Sequence, residues 1–153
     1  MALIPDKVQV VLDAYQLTAL TFEPGSTPTS ELAAEKIGCA VGQIAKSMLF
    51  KGKDGVFRLF LCPGDRRVDN KKIKNFLGFK ARMASADETY EITGFKPGGV
   101  CPFGVEAIDI FIDRGLQQYS IIYPAAGTDA SGVPITFPRL KQISNACECD
   151  VMA

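Results

Sequence analysis

Residues 45–62 read AKSMLFKGKDGVFRLFLC and contain two apolar segments separated by a short polar stretch. Each of these segments, Ala45–Phe50 and Val56–Cys62, has the length of a β-strand. The connection between them is polar and contains two glycines, which suits the turn of an antiparallel hairpin. We therefore predict a hairpin at the centre of the fold.

The flanking sequence alternates between helix signals and further strand-like runs. Helices are expected after Pro5, after Thr27 with Pro28 in first position and Gly38 as the stop, after Asp69, after the S-x-x-E capping box Ser85–Glu88, and from Pro138. The other strand-like runs are Leu20–Phe22, Ile108–Ile112, Ser120–Tyr123 and Val133–Phe137. This mixture predicts one α/β domain over residues 1–153, built around a curved mixed sheet.

The composition excludes several classes of protein and of mechanism. The chain is 47% hydrophobic and 22% charged, which is typical of a globular domain. No apolar run reaches membrane-span length and no signal peptide is recognisable, so we expect a cytoplasmic protein without a membrane partner. The sequence contains no His, which excludes His-based triads and dyads. Five scattered cysteines suit reduced thiols.

Basic residues are concentrated in the middle of the chain. Residues 39–82 carry eleven basic and three acidic side chains, a net charge of +8, whereas both flanks are acidic. One interpretation is a positive face that binds phosphates without reading bases; the other is a solvated, lysine-rich helix. The candidate phosphate-binding residues are Arg66, Arg67, Lys71, Lys72 and Lys74, with Lys80 and Arg82 nearby.

Two short segments are candidates for the chemistry. Lys46 enters an apolar strand, where it either points into a cleft as a point charge or faces solvent. The segment Gly98-Gly99-Val100-Cys101-Pro102 is either a tight connection or a loop whose backbone N–H groups surround an oxyanion.

Three further features have competing interpretations. Cys101 is a nucleophile or, more simply, part of a pocket wall, because no His is present to activate it. Thr128 and Asp129 lie in a second glycine-containing loop, which begins at Gly127. This loop is either a functional loop or a plain hairpin turn. Cys147-x-Cys149 is a frayed tail, a thiol-redox pair or a metal site, and four ligands for a metal are lacking. We expect no metal and no cofactor.

Three motifs occur together in the order AKSMLF (45–50), GGVCPFG (98–104) and AGT (126–128) followed by PRL (138–140). Over residues 20–144 the chain resembles the YbaK family, free-standing relatives of the editing domain of bacterial prolyl-tRNA synthetases. The resemblance implies a curved, barrel-like mixed sheet flanked by helices. It also implies hydrolysis of mischarged aminoacyl-tRNA, with tRNA and a synthetase as partners. The implied substrate is a prolyl or related tRNA carrying a small amino acid, and the alternative is a binding module of the same fold that has lost hydrolysis.

Site residues carried over from the resemblance are expectations for this chain. Lys46 would hold the terminal adenosine or its phosphate, and the Gly98–Pro102 loop would place amides near the aminoacyl carbonyl, which a water or a group of the substrate attacks. The implied substrate-binding residues are Phe22, Ser47, Met48, Gly127, Thr128 and Asp129. The chain departs from its relatives at three of these positions: Cys101 stands where many have Ser, Ser47 where alanine-removing members have Asn, and Phe22 where the cysteine-removing type has Tyr.

Overall fold

The computed structural model describes residues 3–153 and contains five α-helices and seven short strands. The helices are α1 (Asp6–Ala14), α2 (Ser30–Ile37), α3 (Asn70–Leu77), α4 (Ala86–Thr93) and α5 (Phe137–Ser144). The strands are β1 (Leu20–Thr21), β2 (Ala45–Gly52), β3 (Phe57–Pro63), β4 (Ala81–Met83), β5 (Asp109–Asp113), β6 (Ser131–Gly132) and β7 (Cys147–Cys149). None of the helices within residues 3–153 combines the length and apolar character needed to cross a membrane.

Five strands form one mixed sheet in the order β4-β2-β3-β5-β7, and β1 pairs separately with β6. The predicted hairpin is confirmed, because β2 and β3 pair antiparallel from Ala45↔Pro63 to Lys51↔Phe57. Strands β3, β5 and β7 run parallel to one another. The mixed α/β class is thus confirmed, and the sheets of residues 3–153 do not close into a barrel.

Side chains that alternate along β2 and β3 face two different apolar clusters. Leu49, Leu59 and Leu61 belong to the larger core, which also contains Val8 and Leu12 of α1. Phe50, Phe60 and Cys62 belong to a second cluster beneath α3, whose Ile73 is fully buried. Because successive strand residues point to opposite faces, this division identifies which face each β2 side chain occupies.

Most predicted helix boundaries are confirmed, and two helix starts, those of α2 and α5, are wrong. The Asp69 carboxylate accepts hydrogen bonds from the N–H groups of Lys71 and Lys72 at 2.9 and 3.3 Å, and the capping box from Ser85 forms as predicted. Helix α2 does not start after Thr27. Its N-cap is Thr29, because the Thr27 hydroxyl accepts the N–H of Ser131 and ties the preceding loop to β6.

Three other predictions about local structure are corrected. The runs Ser120–Tyr123 and Val133–Phe137 are not strands; they make only isolated bridges, such as Ile122↔Ile135, although both isoleucines are buried. The last helix begins at Phe137, one residue before Pro138, with Thr136 as N-cap. Cys147–Cys149 is not a frayed tail, since it pairs with β5 as the edge strand β7.

Candidate active site

A cavity of about 420 Å³ lies alongside β2. This volume is within the range typical of small-molecule sites. Five segments form most of its wall: strand β2, helix α2 with the residues just before it, the stretch from Met83 to Thr89, the loop around Gly98, and the stretch from Tyr123 to Ser131. Residues predicted from distant parts of the sequence thus contribute to one cavity, namely Lys46, Ser47, Met48, Gly98 and Val100.

The cavity runs along a part of β2 that has no neighbouring strand on one side. Gly52 N–H donates to Val56 O and Gly64 N–H donates to Ile44 O, both at 2.9 Å. Hydrogen-bonded positions alternate along an antiparallel pair, so the even-numbered residues of β2 bond to β3. The backbone N–H and C=O of Ser47 therefore point away from β3, toward the open edge.

Ala45 and Leu49, the neighbours of Ser47 on this edge, have backbone partners, whereas the Ser47 backbone has none in the part of the chain that the structure describes. Ala45 N–H donates to Tyr123 O at 3.1 Å, and Ala84 N–H donates to Leu49 O at 2.8 Å. The Ser47 hydroxyl is buried and makes no hydrogen bond within residues 3–153. Buried polar groups are normally hydrogen-bonded, so an unsatisfied hydroxyl in a cavity wall indicates a place where a ligand or water binds.

Lys46 lies at the rim of the cavity. It is exposed, and its ammonium makes no hydrogen bond or ion pair with another described residue. Lys46 pairs with Cys62 of β3, whose side chain belongs to the cluster beneath α3. The strand pleat therefore directs Lys46 to the α3 side of the sheet and Ser47 to the opposite side.

The glycine loop is held tightly between two other segments. Gly98 has a φ of +91°, and a Cβ placed there would lie 3.1 Å from Pro28 Cα at the approach to α2. A Cβ on Gly99 would lie 2.9 Å from the backbone nitrogen of Thr128. The Gly99 N–H donates to Lys96 O, whereas the N–H groups of Gly98 and Val100 make no hydrogen bond within the described chain. Two amides of the loop are therefore available to a ligand.

Cys101 is outside the cavity wall. The residue is fully buried in the larger core, and its Sγ lies 3.8 Å from Phe103 O. Burial raises the pKa of the Cys101 thiol to about 12, which disfavours the thiolate that a nucleophile requires. Pro102 is also buried, so these two residues anchor the loop in the core.

The second predicted loop, which begins at Gly127, is hydrogen-bonded to the segment before α2. Phe22 N–H donates to Ala130 O at 2.8 Å, and the Asp129 carboxylate accepts the N–H of Gly25 at 3.1 Å. These bonds join the segment before α2 to the loop from Gly127 to Ser131. Thr27 and Ser131 line the cavity, whereas these predicted substrate-binding residues do not: Phe22, Gly127, Thr128 and Asp129.

The five predicted phosphate-binding residues lie outside the cavity, on and near α3. Lys72 Nζ donates to Met152 O at 2.8 Å and forms a 3.4 Å ion pair with Asp150. Arg66 hydrogen-bonds to Ala153 O. The side chains of Arg67, Lys71 and Lys74 have no partner among residues 3–153, so these three are free to bind an anion.

The C-terminal cysteine pair does not have the features of a reactive dithiol. Cys147 is exposed and Cys149 is buried. Burial, with Asp113 and Asp150 nearby, raises the pKa of the Cys149 thiol to about 12. Among the described residues, no three His, Cys, Asp or Glu side chains are placed to share a metal ion.

Sequence reasoning missed the wall formed by the first turn of α2. Thr29, Ser30 and Glu31 line the cavity, and Glu31 is the one carboxylate in its wall just as Lys46 is the one ammonium. Thr27 and Pro28 predict a helix start in this region, two residues before the actual cap Thr29. Nothing in the local sequence indicates that this turn faces β2, because the contact depends on the tertiary fold.

Comparison of the sequence with known proteins identifies relatives of this chain. Residues 24–143 match the model of the aminoacyl-tRNA editing domain. The uncharacterized protein YwhH of Bacillus subtilis is 40% identical over 120 residues, covering 78% of this chain and 76% of that protein. The Proline--tRNA ligase of Thermosipho africanus is 38% identical over 101 residues, which are 63% of this chain but only 18% of the ligase.

A solved structure extends the likeness to the whole chain. It is described as a proposed trans-editing enzyme for prolyl tRNA synthetase, and it superposes with a TM-score of 0.90 at 32% identity, covering 100% of this chain and 99% of that one. A second solved structure, of a hypothetical protein, gives a TM-score of 0.89 at 26% identity. The family match covers all of the residues that line the cavity. The chain therefore belongs to the aminoacyl-tRNA editing domain family.

Proposed function

We propose that this protein is a trans-editing deacylase that hydrolyses the ester between an amino acid and the 3′ end of a mischarged tRNA. The observation that carries the proposal is the convergence of Lys46, Ser47 and the Gly98–Val100 loop on one cavity of about 420 Å³. Membership of the editing domain family supports the same reaction class.

In this reaction a water oxygen attacks the ester carbonyl. The bond from that carbon to the ribose oxygen breaks, the ribose oxygen takes up a proton, and the products are the free amino acid and uncharged tRNA. Negative charge develops on the carbonyl oxygen, and hydrogen-bond donors that face this oxygen accelerate the reaction. We assign this role to the free backbone N–H groups of Gly98 and Val100, together with the backbone N–H and the hydroxyl of Ser47.

The charged residues position the tRNA rather than react with it. Lys46, at the rim and without a partner among the described residues, would bind a phosphate or the terminal adenosine. Arg67, Lys71 and Lys74 would contact the phosphates of the adjoining stem, on the side of the sheet toward which Lys46 points. Such contacts hold the ester in the cavity and supply catalysis through orientation.

The substrate we propose is a prolyl or related tRNA that carries a small amino acid. Met48 and Val100 are part of the apolar wall, and the cavity must also accommodate the terminal ribose. An apolar wall discriminates only modestly, by about 1–3 kcal/mol for each methylene group. The reaction belongs in the cytoplasm, where tRNA is charged, and a synthetase is the expected partner.

The test is a panel of tRNAs mischarged with different amino acids. Wild type should release amino acid from at least one member, and Lys46→Ala should reduce kcat/KM at least about tenfold. Lys53→Ala is the matched control, because Lys53 is exposed in the β2–β3 turn, away from the cavity. Absence of release from every member would contradict the enzymatic proposal.

The alternative function is a binding module that retains the tRNA but does not hydrolyse it. Its support is the departure of this chain from its relatives at Phe22, Ser47 and Cys101, and Cys101 is buried outside the cavity. This alternative predicts salt-sensitive binding of charged tRNA without turnover on the same panel.

A further inference from the structure

Two residues of opposite formal charge line the cavity, and neither charge has a partner among residues 3–153. Glu31 is in the first turn of α2 and Lys46 is on β2. Within residues 3–153, no ion pair or hydrogen bond engages the Glu31 carboxylate, and Glu31 and Lys46 are not paired with each other. The other wall residues are uncharged, so a ligand that carries both charges would satisfy both groups.

An aminoacyl ester on tRNA carries such a pair of charges. Its α-ammonium is two bonds from the ester carbonyl, and the nearest phosphate lies on the far side of the ribose. Bringing an ammonium into a largely apolar cavity is costly unless an acceptor compensates for the lost water. Lys46 repels an ammonium and suits the phosphate, which leaves Glu31 for the amino group.

We propose that the Glu31 carboxylate binds the α-ammonium of the aminoacyl group and thereby restricts this site to esters with a free amino group. This inference rests on the proposed function, and it specifies the substrate class more narrowly. Esters whose amino group is acylated, such as peptidyl or formylated aminoacyl groups, would lose the charge and leave Glu31 unpaired. The site would then act on newly charged tRNA and spare initiator and peptidyl esters.

Two other roles for Glu31 make different predictions. A carboxylate in the first turn of a helix also stabilises that helix, and its loss would affect every substrate equally. A carboxylate that activated the attacking water would lower kcat on all esters, whether or not their amino group is free. Only ammonium binding ties the effect of Glu31 to the state of the amino group.

The experiment compares one tRNA charged with one amino acid, with its α-amine either free or N-acetylated. Wild type should show a kcat/KM for the free-amine ester about tenfold to a hundredfold higher, the factor expected for one charge-assisted hydrogen bond. Glu31→Gln should bring this ratio close to one by slowing only the free-amine ester. Glu35→Gln removes the same charge from the same helix outside the cavity and should preserve the ratio.

Binding of hydrolysis-resistant probes separates this inference from the proposed function. The probes are 3′-aminoacylamido analogues of the tRNA 3′ end, with a free or acetylated amine, titrated by calorimetry. If wild type binds both equally, or if Glu31→Gln weakens both equally, the inference is wrong even when hydrolysis is confirmed. If the free-amine probe binds more tightly in a Glu31-dependent manner but no ester is hydrolysed, the deacylase proposal fails and ammonium recognition stands.

Discussion

Replacing Gly98 with Ala tests whether the cavity depends on the tight seating of its glycine loop. The residue has a φ of +91°, which side chains rarely adopt, and its new Cβ would lie 3.1 Å from Pro28 Cα and 3.2 Å from Pro28 O. The positive φ costs about 1–2 kcal/mol in an L-residue. Overpacking against backbone adds about 1–3 kcal/mol, because backbone atoms cannot move aside as a flexible side chain can.

Two other glycines separate these contributions. Gly55→Ala introduces the same backbone strain at a φ of +81°, with nothing within 4 Å of the new Cβ. Its free energy of unfolding should therefore decrease only by the cost of the positive φ. Gly99 does not have a positive φ, but a Cβ there would lie 2.9 Å from Thr128 N. The free energy of unfolding of Gly99→Ala should therefore decrease only by the cost of overpacking. Gly98→Ala should be the most destabilising of the three, by roughly 2–5 kcal/mol.

The assay is urea unfolding at equilibrium, with deacylation measured on the same preparations. Gly98→Ala and Gly99→Ala should also lose deacylation activity beyond their loss of stability, because the loop would move away from β2. Gly55→Ala should remain active. If Gly98→Ala were no less stable than Gly55→Ala and fully active, the loop would not be held as described.

Three further predictions follow from other features of the structure. Cys101→Ala should remain active while losing about 1–2 kcal/mol of unfolding free energy, as expected for a core thiol; loss of activity in a folded variant would restore the nucleophile hypothesis. The hydrogen bond from Arg82 is the main cause that lowers the pKa of Glu88 from 4.5 to about 2, so ionised Glu88 stabilises the fold above pH 4.5, and this stabilisation is lost as the pH falls toward 2. Between pH 4.5 and 2 the Tm of wild type should therefore fall more steeply than the Tm of Glu88→Gln. Parallel curves of Tm against pH would contradict this. Combined replacement of Lys71 and Lys74 by Ala should weaken tRNA binding and reduce the slope of log affinity against log salt by about 2, and an unchanged slope would remove α3 from the interface.

The parts of the fold that the sequence predicted correctly depend on local interactions. Asp69 and Ser85 cap helices with bonds to residues two or three positions away, and Gly38 ends α2 in the left-handed conformation. The β2–β3 hairpin needs only a short turn. The misplaced start of α2 has a non-local cause, because Thr27 hydrogen-bonds to Ser131, more than a hundred residues away. Two neighbouring threonines offered equivalent local signals, and only the tertiary contact distinguishes them.

The remaining errors have the same physical origin. Ile122 and Ile135 are apolar because they are buried, and burial does not require a ladder of strand pairs. Cys147–Cys149 becomes a strand only because β5 presents a parallel edge to it. At the site, the local sequence marks Lys46 and the Gly98–Pro102 segment as candidates, and the family resemblance assigns roles to them. Glu31 was missed because a helix start shows its cap in the sequence but not the surface that it faces.

The incomplete pairing of β2 has a consequence for how this family can diversify. Strand β4 covers only Phe50–Gly52, so the amide and carbonyl at position 47 remain exposed to the cavity whatever side chain is present. Point substitutions can therefore enlarge, shrink or polarise the recognition surface without deleting these main-chain contacts. Under the proposed function, new amino-acid preferences can therefore arise in few mutational steps, while the residues of α2 and α4 that line the same cavity cover the open strand edge.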